Sequence, residues 1–144
     1  MRIGILDPEY LPDMWKDVEP LIDKVIPFMH GRANKADIVK NIAGGHEQLW
    51  VIDDDEKVIA IGVTSIEHRS QMSILNVSYI GGSRIDEWVE ELFDLFCQFG
   101  VEKGCSIVEC CGRKGWSKIA ERYPASGFGL EYVIVSKVLN DVKV

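Results

Sequence analysis

The sequence lacks what would commit it to a membrane, a metal or a nucleic acid. No apolar run approaches the roughly 20 residues of a membrane-spanning helix, and Lys24 and Lys40 interrupt the apolar helical stretches. The opening Met1-Arg2-Ile3-Gly4-Ile5-Leu6 runs at once into Asp7-Pro8-Glu9, which is no secretory signal, so a cytoplasmic location is expected. Positive charge is scarce: 16 Lys and Arg against 23 Asp and Glu give a net charge of -7. Nonspecific nucleic-acid binding needs a basic footprint, so that class of partner is excluded. The four cysteines (Cys97, Cys105, Cys110, Cys111) make no CxxC pair, and with no spaced His/Cys set a zinc site is not expected. Cys110 and Cys111 are adjacent on a strand, point to opposite faces and would not bridge easily, so buried reduced thiols are expected. The acidic run Asp53-Asp54-Asp55-Glu56 lacks the spaced ligands and central glycine of a calcium loop and reads as a solvated turn. There is no repeat, low-complexity stretch or linker, and 144 residues make one domain spanning 1–144.

What is present is well patterned. Ile3 and Ile5 alternate in a short first strand over 2–6. Met14, Trp15, Val18, Leu21, Ile22, Val25 and Ile26 recur at helical spacing and predict a helix over 13–28. Pro20 lies inside it and is expected to kink or split it. Asn34 with Asp37 is an N-cap signature for a second helix, which Gly44-Gly45 ends. Strands are predicted over 49–52 and 58–66, joined by the acidic turn, and over 73–80. Gly81-Gly82 reads as a turn into a long helix over 84–99, with Ile85, Trp88, Val89, Leu92, Phe93, Phe96 and Phe99 on one stripe. Ser83 and Asp86 read as its N-cap pair. A strand over 106–111, a helix over 116–123 stopped by Pro124, and a final β-branched strand over 130–139 complete the chain. The order β-α-α-β-β-β-α-β-α-β is that of an α+β or mixed layered domain.

Glycines before a helix are where such folds bind phosphate, because the first turn offers unpaired N–H groups and the positive end of the helix dipole. Gly81 and Gly82 permit close backbone approach, and Arg84 would add a charge-assisted contact. Asp86 and Glu87 work against this, since they would repel a pyrophosphate at the same helix mouth. Arg113, Lys114, Lys118 and Arg122 form the one basic cluster, suited to phosphates, an acidic partner surface or ordinary solvation. His30 and His46 have no evident partner.

The element order resembles the GCN5-related N-acetyltransferase (GNAT) fold over nearly the whole chain. Tyr123-Pro124-Ala125-Ser126-Gly127-Phe128 looks like that family's Tyr-x-x-x-Gly-Phe ending of the last helix. The run Gly81-Gly82, Trp88, Gly104-Cys105-Ser106-Ile107-Val108-Glu109 and Gly112-Arg113-Lys114-Gly115-Trp116 is similar to a divergent GNAT-like group of double-stranded DNA bacteriophages and prophages. The resemblance implies a mixed, mostly antiparallel sheet flanked by helices, with acetyl-CoA as cosubstrate and an amine as acceptor. It also implies that Gly81, Gly82, Ser83 and Arg84 hold the pyrophosphate and that a backbone N–H at a bulge among Val77, Tyr79 and Ile80 polarises the acyl carbonyl. Trp116 takes a position that helps seat the cofactor arm, and Tyr123 that of the acid that protonates the leaving thiolate. The family's Gln/Arg-x-x-Gly-x-Gly/Ala motif is departed from at both ends, by Ser78 and Ser83. For a general base the candidates are Glu67, His68 and Glu109, with Glu67 preferred at the exit of a strand. Three readings result: N-acetyl transfer, a GNAT fold without catalysis serving as a phage structural or host-interaction protein, or a CoA-binding regulatory module without turnover. An exposed sheet edge or the Trp15 face offers a surface for a homodimer or a virion or host partner.

Overall fold

The structure, a computed structural model, describes residues 1–110 and 115–140, apart from the side chain of Trp116. One sheet of five strands has the spatial order in which the chain makes them. They are β1 (Arg2–Ile5), β2 (Gln48–Asp53), β3 (Val58–His68), β4 (Ser73–Gly82) and β5 (Ile107–Cys110). β1 to β4 form an antiparallel meander, and β5 joins β4 in parallel. The crossover between β4 and β5 carries α3 (Val89–Glu102), while α1 (Leu11–Val25) and α2 (Lys35–Ala43) separate β1 from β2. α4 (Gly115–Arg122) follows β5.

Each face of the sheet has its own core. α1 and α2 bring Val18, Ile22, Ile38 and Ile42 onto Leu49, Ile61, Val63 and Tyr79. α3 brings Trp88, Leu92, Phe93 and Phe96 onto Trp50, Leu75, Val77 and Ile80 on the opposite face. Trp50 meets Phe96 edge-on, with ring centroids 5.0 Å apart. Its buried indole N–H donates to Thr64 Oγ1 at 2.9 Å, and that hydroxyl donates to Gln48 Oε1 at 2.8 Å. The buried Thr64 hydroxyl is thereby satisfied.

α2 starts as its sequence predicts: the Asp37 N–H donates to Asn34 Oδ1 and the Asn34 N–H to Asp37 Oδ2, a capping box. Elsewhere packing overrides local signals. Pro20 does not split α1, which is continuous from Leu11 to Val25. Burying Val18, Leu21, Ile22 and Val25 is worth roughly 1.5–3 kcal/mol each, which outweighs the ~3 kcal/mol that an internal proline costs. The long helix does not begin at residue 84. A 3-10 turn, Ile85–Glu87, comes first and α3 starts at Val89. The expected Ser83/Asp86 cap is not formed; the Trp88 indole N–H donates instead to Ser83 O at 2.8 Å.

The strand expected over 130–139 is absent: these residues have no ladder and are exposed, Val135 to 92%. Its β-branched residues fit a pleated surface, but strand propensity needs a neighbour to act through. One contact to β5 comes from the Tyr132 hydroxyl, which donates to Glu109 Oε1 at 3.0 Å. The thiols are not buried as expected. Cys97 is exposed on the side of α3 away from its stripe, and Cys105 and Cys110 are half-buried. Cys111 lies outside the described residues, as do Gly112, Arg113 and Lys114.

Candidate functional site

β4 is the element on which a site is built. Among the described residues it pairs with β5 from Ile74 with Ile107 to Val77 with Cys110, and with β3 as far as Gly82. At the same point its other edge is irregular. Thr64 of β3 pairs with Val77 and Val63 pairs with Tyr79, so Ser78 is an extra residue, a β-bulge. The bulge resets which way the strand faces. Period-two alternation would put Tyr79 on the same face as Leu75 and Val77, under α3. With Ser78 inserted, Tyr79 goes instead to the α1/α2 face and Ile80 returns to the α3 face.

Gly81 and Gly82 do not form a turn. They extend β4, opposite Ile61 and Ala60 of β3. A Cβ on Gly82 would lie 2.4 Å from the Ala60 Cα, and one on Gly81 would lie 2.7 Å from Val25 Cγ1. Gly82 also has φ +145°, which side-chain residues rarely adopt. Here the glycines answer to the close approach of β3 and α1. The left-handed residue of the turn is Arg84, at φ 59°.

Two carboxylates hold the Arg84 guanidinium: Glu87 Oε1 at 3.0 Å and Asp54 Oδ2 at 3.0 Å. Their bonds raise its pKa, and Arg84 in turn lowers that of Glu87. The Ser83 N–H donates to Ile59 O at 3.0 Å. Asp86 accepts the Tyr123 hydroxyl at 3.0 Å and pairs with Arg122 at 3.0 Å. Partial burial and then the Asp86 contact raise the Tyr123 pKa, keeping the phenol protonated at neutral pH. Glu90 and Glu91 add two more acids in the first turn of α3.

On the α1/α2 face lies a cleft of about 1230 Å³. Its walls combine β4 residues Asn76, Ser78 and Tyr79 with α1, α2 and part of the segment after Ile134. Glu67 lines it, half-buried and paired with Arg69 at 3.0 Å. His68 instead meets Ser73 Oγ at 2.9 Å, and Glu109 meets Tyr132. Among the residues proposed from sequence, Glu67, Tyr79, Ile80, Gly81 and Gly82 share the cleft wall. Tyr123, Ser83 and Arg84 stand beyond the end of β4, and Val77 faces the α3 core. The Trp116 side chain lies outside the described residues. His30 and His46 line the cleft as well.

Glu47 is the residue that sequence reasoning missed. It lies half-buried in the cleft wall, just before β2, and accepts the Asn41 amide at 2.8 Å. Burial raises its pKa, against the lowering effect of that bond. Gly44-Gly45-His46-Glu47 reads as a solvated loop, and the only available signal was a charge set directly before an apolar strand. Tyr79 is 7% exposed, and its hydroxyl has no partner among the described residues. Burial first, and then the Glu47 charge, push that phenol far up. No cluster of His, Cys, Asp and Glu among the described residues would hold a metal ion.

The fit of acetyl-CoA to these residues is divided. The bulge at Ser78, where the described β4–β5 pairs end, suits a narrow thioester arm, because a bulged residue leaves its backbone groups out of the ladder. The turn after Gly82 does not suit a diphosphate: its glycine space is occupied, its arginine is already neutralised, and Asp86, Glu87, Glu90 and Glu91 surround the helix mouth.

No protein-family profile and no curated protein matches the sequence. Solved structures do. Glucosamine-6-phosphate N-acetyltransferase from Arabidopsis thaliana superposes with a TM-score of 0.69 at 15% identity, over 96% of this chain and 98% of that one. An aminoglycoside acetyltransferase from an uncultured soil metagenomic sample, in complex with sisomicin, gives 0.69 at 13% identity, over 95% and 93%. Ribosomal-protein-alanine N-acetyltransferase from Brucella melitensis biovar Abortus 2308 gives 0.66 at 11% identity, over 96% and 98%. With the mixed sheet and its parallel β4–β5 pair, this likeness establishes that the chain has the GNAT acyltransferase fold.

Proposed function

We propose that the protein is an N-acyltransferase that takes an acyl thioester, acetyl-CoA, at the Ser78 bulge of β4 and an amine in the α1/α2 cleft. The observation that carries this reading is a coincidence of position. Among the described residues the β4–β5 pairs reach as far as Val77, and at Ser78 the ladder with β3 breaks, so the bulge falls at the point where the described pairing with β5 ends. Backbone N–H groups in the stretch from Val77 to Ile80 would then polarise the acyl carbonyl, the largest single contribution in reactions of this kind. The bound thioester supplies an electrophilic carbon and a thiolate leaving group. Tyr123 is the proton donor for that thiolate, and Glu67 takes the proton of the attacking amine. Gly81, Gly82, Ser83 and Arg84 would lie along the donor arm, and Arg84 would have to leave Glu87 or Asp54 to meet phosphate. Trp116 would pack beside it.

A second reading has its own support: a GNAT fold without catalysis, serving as a bacteriophage structural or host-interaction protein. The acidic turn favours it, and so does the exposed apolar segment over 130–139. Thermal unfolding with and without millimolar acetyl-CoA separates the two. Ligand at about a hundred times its dissociation constant stabilises by about 2.7 kcal/mol. Acetyl-CoA is expected to raise the melting temperature; no shift, with acetyl-pantetheine equally inert, sinks the transferase.

A further inference from the structure

Two polar groups in the cleft wall, one half-buried and one buried, are short of partners among the described residues. The Glu47 carboxylate accepts a bond from the Asn41 amide and sits half-buried just before β2. The Tyr79 hydroxyl, on the same wall, has no partner at all among the described residues. A buried hydroxyl without a bond keeps the cost of its lost hydration, and burial of a carboxylate without a counter-charge raises its pKa. Burial does raise that of Glu47, and the two groups sense each other, since the Glu47 charge disfavours ionisation of Tyr79. The Ser78 bulge is what turns Tyr79 to this face.

We propose that Glu47 and Tyr79 form an ammonium-binding subsite, which takes a primary amine with an apolar body. An ammonium group has three donors, enough to reach a carboxylate oxygen and a phenol oxygen together, and its charge is what Glu47 lacks. The apolar body is indicated by the rest of the wall: Val25, Phe28, Met29 and Ile38. Polyamines are disfavoured, because Lys24, Arg32 and Lys137 line the same cleft and would repel a second positive charge. This assigns the acceptor class for the reaction proposed above and rests on that reading for its purpose, though not for its test.

Calorimetric titration of the whole protein with phenethylamine and tryptamine, without acetyl-CoA, tests the subsite. Phenethyl alcohol and spermidine are the comparisons. Phenethylamine is expected to bind, and Glu47→Gln to weaken it by about tenfold or more, while leaving phenethyl alcohol unchanged. Gln keeps an acceptor for Asn41, so this variant retains the native bond. Tyr79→Phe is expected to weaken amine binding while the ligand-free protein melts no lower than the parent, because it removes a hydroxyl that bonds nothing. A purely structural tyrosine would give the opposite pattern. The subsite is overturned if neither apolar amine binds, if Glu47→Gln binds them equally well, or if spermidine binds more tightly than phenethylamine. Amine binding without any acetyl-CoA shift would end the transferase reading and leave the subsite standing; an acetyl-CoA shift without amine binding would do the reverse.

Discussion

The Tyr123 hydroxyl donates to Asp86 Oδ1 across 3.0 Å, which ties the end of α4 to the turn between β4 and α3. The proton that a leaving thiolate would need is thus lent to a carboxylate that Arg122 also holds. Tyr123→Phe is expected to lower acyl transfer by about 10²-fold, the lower end for loss of a general acid, with acetyl-CoA still raising the melting temperature. Thiol release measured alongside melting checks both, and an unchanged rate removes Tyr123 from the chemistry.

The acids at the helix mouth make a prediction of the opposite sign. Asp86→Asn with Glu87→Gln removes two negative charges and releases Arg84 from one of its partners. Affinity for acetyl-CoA should rise by roughly tenfold, as expected for repulsion of about 1 kcal/mol or more in a solvated site. Acetyl-pantetheine, which has no diphosphate, should gain nothing. Equal gains for both ligands would show that the carboxylates act on something other than phosphate.

Gly82→Ala should destabilise the fold by roughly 3 kcal/mol, within the range for overpacking combined with backbone strain. The added carbon meets the Ala60 and Ile59 backbone, which cannot rotate away. Gly81→Ala meets a valine methyl instead, at 2.7 Å, and should cost about 1 kcal/mol. Urea unfolding of the two variants gives the comparison. If the order is reversed, the close approach of β3 is not what requires glycine.

Deleting Ser78 separates fold from chemistry. Without it Tyr79 follows Val77 directly, which still places the two on opposite faces, so no core residue changes sides. The deletion variant should fold with stability within about 1–2 kcal/mol of the parent and lose acyl transfer. Retained transfer would show that the bulge is not the point of reaction.

Glu47 predicts a pH dependence. Its pKa is raised in the folded state, so the native protein holds this proton more tightly than the unfolded chain does. Its contribution is therefore present at acid pH and lost as pH rises through the raised folded value. Glu47→Gln cannot ionise and should be more stable than the parent at about pH 8, with the gain vanishing by about pH 4. Lys24, Arg32, Lys137, His30, His46 and Glu67 line the same cleft and are common to both proteins. Urea midpoints at the two pH values decide it, and a gain that persists at the lower pH would rule out ionisation as the cause.

The fold was largely legible because its signals are local. The aromatic stripe of α3, the Asn34/Asp37 box and the apolar runs of β2 and β3 each reside in one short window. The site was not. Gly81-Gly82 has the composition of a turn, yet its conformation is set by Ala60 and Val25, residues far off in the chain. The bulge at Ser78 exists only as a relation between β3 and β4. The final strand misled for the same reason in reverse: 130–139 carries the preference without the partner that would realise it.

The sheet's spatial order, identical to its order along the chain, bears on how the molecule is made. Each later strand finds its neighbour already made when it emerges, and β2, β3 and β4 meet across short turns. Contacts of this kind involve short loop closures, which favours rapid folding and permits assembly in step with synthesis. β1 and β5 join across longer connections, because α1 and α2 lie between β1 and β2 and α3 lies between β4 and β5. The place proposed for the thioester therefore belongs to the last joining of the sheet. A protein caught before that step would already hold the amine cleft wall of β4 against α1 and α2.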